Sequence, residues 1–167
     1  MIESTKFILI SNWLKNKFIN GDNGIIIEPH LSNYFNPIQE FVGSFEHRLK
    51  TPVIYYQAFP EESALQFLDT LRAELVAKLG NSNLDEYSLL EIIKIAQLRM
   101  IVIDKCHLHP SNTLQSLLDF FSCCGVTVIL VSSNNQIAIS PVLNHPIISQ
   151  WDKLTFDDES KAIFELS

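Results

Sequence analysis

Basic residues are scarce in this chain: twelve Lys or Arg stand against nineteen Asp or Glu, leaving a formal net charge of −7 over 167 residues. Phosphate neutralisation supplies most non-specific nucleic-acid affinity, so a broad nucleic-acid surface is disfavoured and direct nucleic-acid binding is not expected. Cysteine is also sparse. Cys106, Cys123 and Cys124 form an odd set whose adjacent pair does not bridge within regular structure, which argues against a secreted disulfide framework and for reduced thiols. Long apolar runs are missing too: Phe7 to Ile10 is too short for a signal-peptide core and follows Glu3, and no segment approaches the about 18 apolar residues that span a bilayer. The expectation is a soluble, cytoplasmic protein with no membrane partner. Linkers, internal repeats and low-complexity tracts are absent, and with 47% hydrophobic residues the length fits one domain able to bury a real core.

What is present is an alternation of helical and strand signals. Phe7, Ile8, Ile10, Trp13, Leu14 and Phe18 predict an amphipathic helix over Lys6 to Phe18, closed by the turn cluster Asn20 to Gly24. Ile25 to Ile27 is a short β-branched run. Asn36, Pro37 and Gln39 read as a cap, a first helical position and a capping partner, predicting a helix from Pro37 to about Leu49. Strands follow at Pro52 to Gln57, Arg99 to Asp104, Val126 to Val131 and, shorter, Trp151 to Phe156; helices are expected over Glu61 to Leu79, ended by Gly80, over Asp85 to Gln97, and over Ser111 to Cys123. Continuous apolar strands alternating with helices predict a three-layer α/β fold with a mostly parallel sheet of about five strands. The division expected is an N-terminal helix and turn (1–24), a core (25–156) and a C-terminal tail (157–167). In such sheets ligands sit beyond the carboxyl ends of the strands, which puts Glu28 to Ser32, Asp104 to His109 and Ser132 to Asn135 on one rim.

From about Pro52 onward the order of motifs resembles the AAA+ ATPases of transposition systems, the TniB/TnsC group of P-loop NTPases. Pro52 to Gln57 followed by Pro60-Glu-Glu-Ser63 is similar to that group's second strand and its exit into a long helix. Met100-Ile-Val-Ile-Asp104 resembles the Walker B strand, Val126 to Ser133 the strand bearing the sensor-1 polar residue, and Trp151 to Leu154 the start of the last core strand. The resemblance covers the last two thirds of the chain and, by position, the strand at Ile25. It implies a P-loop NTPase-like core without the helical lid, since residue 167 falls where that lid would begin.

The departures from the family pattern fall on the chemistry. Against a G-x-x-x-x-G-K-[ST] phosphate loop, the glycines fall on Glu28 and Asn33, the lysine on Tyr34 and the hydroxyl residue on Phe35. Glu28 brings a negative charge and Pro29 removes an amide where phosphate needs donors and partial positive charge. Asp104, which by the resemblance would help to hold Mg²⁺, is present, but the adjacent glutamate is replaced by Lys105, which cannot act as a carboxylate base. Around Asn144 to Ser149 there is no arginine to serve a neighbouring subunit's nucleotide.

The vestigial site therefore comprises Glu28, Pro29, His30, Ser32, Asn33, Tyr34, Asp104, Lys105 and Ser132, with no catalytic residue and no cofactor expected; ATP and Mg²⁺ belong only to the alternative of an ATPase with a nonstandard loop. Asp104 reads either as a metal ligand with Ser132 or Ser133, or as a cap for the next turn or a partner of Lys105, and the structural reading is preferred. Cys106, His107 and His109 with Cys123 and Cys124 offer zinc-type ligands in a spacing that matches no zinc motif, and a buried cysteine with surface histidines is the commoner case. A Cys106 nucleophile with a histidine base is the remaining enzyme reading. His30 is read as a loop histidine rather than an anion contact. Tyr34 and Phe35, with Tyr55 and Tyr56, are expected to fill the vacated cleft. The function implied is a pseudo-ATPase retained as a protein-binding or regulatory module, tied by the resemblance to a transposition or mobile-element system, with an active AAA+ relative or a second copy as partner.

Overall fold

The computed structural model describes residues 2–27, 37–45, 50–80, 82–132, 146–156 and 162–165. Helix α1 (Ile2–Asn20) leads into strand β1 (Gly24–Ile27), followed by α2 (Pro37–Gly43), β2 (Val53–Gln57), α3 (Ala64–Leu79), a 3-10 turn (Ser82–Glu86), α4 (Leu89–Ala96), β3 (Met100–Asp104), a 3-10 turn (Cys106–Leu108), α5 (Ser111–Cys124), β4 (Thr127–Ser132), a 3-10 turn (Ile148–Gln150), β5 (Asp152–Phe156) and β6 (Ala162–Glu165). The strands form one sheet in the order β2-β3-β4-β1-β5-β6. Five run parallel, and β6 pairs antiparallel with β5 at the edge. This is the three-layer α/β architecture expected from the apolar strand runs, and among the described residues no helix is long and apolar enough to cross a membrane.

Alternation along each strand sorts the core into two layers. Ile26, Val53, Met100, Val102, Ile129, Val131 and Leu154 face α1 and α2, where Ile10, Leu14, Ile38 and Phe41 are buried. Their strand neighbours Ile25, Ile27, Ile54, Tyr56, Ile101, Ile103, Val128 and Leu130 face α3, α4 and α5, packing on Phe67, Leu71, Leu75, Ile92, Leu117 and Phe121. Each fully buried side chain of this size contributes about 1.5–3 kcal/mol, so both faces of the sheet depend on their helical cover.

Several boundaries differ from the sequence expectation, each for a local reason. Helix α3 starts at Ala64 rather than Glu61, because Ser63 and Gln66 form a reciprocal capping box and Glu61 adopts φ 60. The helix expected over Asp85 to Gln97 is divided: Asp85 lies in a 3-10 turn, and Ser88 caps α4 by accepting from the Glu91 amide. The N-terminal helix is no appendage. Ile10 and Leu14 are wholly buried, Lys17 pairs with Asp152 of β5, and the Trp13 ring lies so close to Gly24 that a Cβ there would stand 2.4 Å from its Cη2 atom. The C-terminal segment likewise joins the sheet through β6 instead of remaining a tail, with Leu154 opposite Phe164 and Thr155 opposite Ile163.

Candidate functional site

The carboxyl ends of the parallel strands define the rim where an open α/β sheet binds ligands. Of the residues expected there, Glu28, Pro29, His30, Ser32, Asn33 and Tyr34, together with Phe35, Ser133 and Asn135, lie outside the described residues. Asp104, Lys105 and Ser132 lie within them, at the ends of β3 and β4.

Asp104 is 3% exposed and both its oxygens have internal partners. Oδ1 accepts the Lys105 backbone N–H at 2.8 Å, Oδ2 accepts the Tyr55 hydroxyl from β2, and the Asp104 carbonyl accepts the Ala58 N–H at 2.9 Å. The side chain thus caps the turn that follows β3, one of the structural roles foreseen for it. Lys105 occupies that turn at φ 55 in the left-handed region with its side chain exposed, and it makes no ion pair with Asp104 within 4.0 Å.

Ser132 does not join Asp104 in one ligand set. Asp104 is in register with Val131, so Ser132 comes one residue later and, by strand alternation, belongs to the opposite face. Its hydroxyl lies 3.2 Å from His107 Nδ1 and beside the Cys106 thiol, on the side covered by α5. Burial lowers the His107 pKa, with the Asp104 carboxylate acting in the opposite sense and Lys105 adding to the lowering. Burial also pushes the Cys106 thiol up to about 12, reinforced by the Asp104 charge. A thiol so shielded carries little thiolate near neutral pH, which argues against the nucleophile of the enzyme reading.

The cysteines do not gather either. Cys106 precedes α5 at the rim, whereas Cys123 and Cys124 end that helix, which is fourteen residues and so about 21 Å long. Among the described residues no group of three or more His, Cys, Asp and Glu side chains is placed to hold a metal ion.

A different polar cluster lies under the rim, and it corrects the expectation of surface histidines. His109 is 4% exposed and Glu62 6% exposed, with His109 Nε2 at 2.7 Å from Glu62 Oε1. Tyr56 donates its hydroxyl to Glu62 Oε2 at 2.5 Å, and Thr113 donates to the Glu62 carbonyl at 2.7 Å. The Phe67 ring stands edge-on to the imidazole, with centroids 5.7 Å apart. Burial raises the Tyr56 hydroxyl well above the usual phenol range, and the hydrogen bond to the Glu62 carboxylate raises it further. His109 Nδ1 is buried and has no hydrogen-bond partner. A donor at Nε2 suits the carboxylate and leaves Nδ1 as an acceptor without a donor. The cluster ties the end of β2, the turn before α3 and the first turn of α5 together. With the imidazole fully enclosed, it braces the rim and does not present a reactive group.

Tyr55 and Tyr56, expected as cleft-filling aromatics, direct their hydroxyls at Asp104 and Glu62, and neither Glu62 nor Thr113 is among the expected site residues. One local signal points to Glu62: the Ser63-to-Gln66 capping box starts the helix after it and leaves its carboxylate in a turn. No protein-family model matches the chain, and no curated protein matches it.

Proposed function

We propose that the chain is a catalytically inactive, P-loop ATPase-like core of AAA+ type that acts in the cytoplasm as a protein-binding or regulatory module. The observation that carries this reading is the commitment of Asp104: the acid that would hold Mg²⁺ in a working relative has one oxygen on the Lys105 amide and the other on the Tyr55 hydroxyl. Lys105, standing where a relative would have its water-polarising glutamate, has the wrong charge for that role. The opposite-face placement of Ser132 supports the same reading, since the two groups on which a nonstandard phosphate site would draw do not share one side of the sheet. A parallel sheet with β1 between β4 and β5 is compatible with such a core, and the order of motifs from Pro52 onward supports the AAA+ assignment. That order also supports an active AAA+ relative, or a second copy of this chain, as partner within a transposition or mobile-element system.

Calorimetric titration with Mg-ATP tests the reading. The wild type is expected to give no binding heat at millimolar nucleotide. Saturable binding that disappears in Asp104→Ala would overturn the proposal in favour of an ATPase with a nonstandard phosphate loop.

A further inference from the structure

We draw no further inference here: the strongest candidate, the hollow of about 280 Å³ at the amino end of β2 between Val42, Phe45, Lys50 and Lys78, carries two exposed lysines on its wall, and nothing in the structure shows what covers it.

Discussion

Tyr55 and Asp104 are diagonal neighbours on one face of the sheet: Tyr55 is in register with Val102, and its hydroxyl reaches the carboxylate two residues further along β3. A diagonal pair of this kind lies within the reach of an aromatic side chain. The contact occupies the acid that the ATPase resemblance would assign to a cation, and it makes Tyr55 a stability determinant.

Tyr55→Phe keeps the ring and deletes only the donor. A hydrogen bond to a charged group is worth about 1.5–3 kcal/mol, so a loss of stability of that size is expected in urea unfolding. An unchanged midpoint and slope would show that the Tyr55 contact does not hold Asp104 in solution.

For the Glu62 and His109 pair the expected result is non-additive. His109→Leu leaves the buried Glu62 carboxyl group with one donor fewer and should cost about 1.5–3 kcal/mol, whereas combining it with Glu62→Leu removes the acceptor left short of a donor and should recover part of that loss. A double mutant whose loss equals the sum of the two singles would contradict the coupling read from the 2.7 Å contact.

Gly24→Ala probes the seat of α1 on the sheet. The added methyl meets the outer edge of the Trp13 ring at 2.4 Å, so the indole must shift from its place against β1. Overpacking of this kind costs about 1–3 kcal/mol. Trp13 emission should shift in parallel, and Trp13→Leu should relieve part of the loss. A neutral Gly24→Ala would mean that the Trp13 ring is not held tightly against β1.

Thiol labelling separates the three cysteines. Cys123, exposed at the end of α5, should react fastest, and Cys124, half-buried with its pKa raised by burial and by neighbouring Cys123, more slowly. Cys106 should stay unmodified into mildly alkaline buffer, since its thiol remains protonated until far higher pH, and should label only with global unfolding. Rapid labelling of Cys106 in the native state would reopen the reading of a cysteine nucleophile.

The strands were legible in the sequence because burial on both faces gives each a continuous apolar run. Met100 to Asp104 and the run around Val128 to Val131 could be read directly. Where two local signals competed, the outcome was harder to see. Asp85 and Ser88 both resemble a helix start, and only the Ser88 hydroxyl captures an amide. Strand β6 was not visible, since Ala162 to Glu165 is four residues long and becomes a strand by pairing with β5. The rim was half-legible: Asp104 was found from the strand that it ends, with capping among its foreseen roles. Glu62 and His109 are 47 residues apart, and no local period links a turn glutamate to a histidine ahead of a later helix.

The position of β1 has a consequence for how the chain acquires its fold. Ile25 is flanked by Leu130 on one side and Lys153 on the other, so its nearest hydrogen-bonding neighbour in the sheet is made about a hundred residues later, a long loop closure with a correspondingly large entropic cost. During synthesis Ile25, Ile26 and Ile27 emerge early and wait, unpaired along both edges, until β4 has left the ribosome. The segment from β2 to β4 can assemble first through its consecutive strand-helix crossovers, with β1 inserting afterwards against β4 and being sealed last by β5. Until β4 has been made the triple isoleucine has no native strand beside it, an unpaired apolar edge of the kind that invites wrong partners.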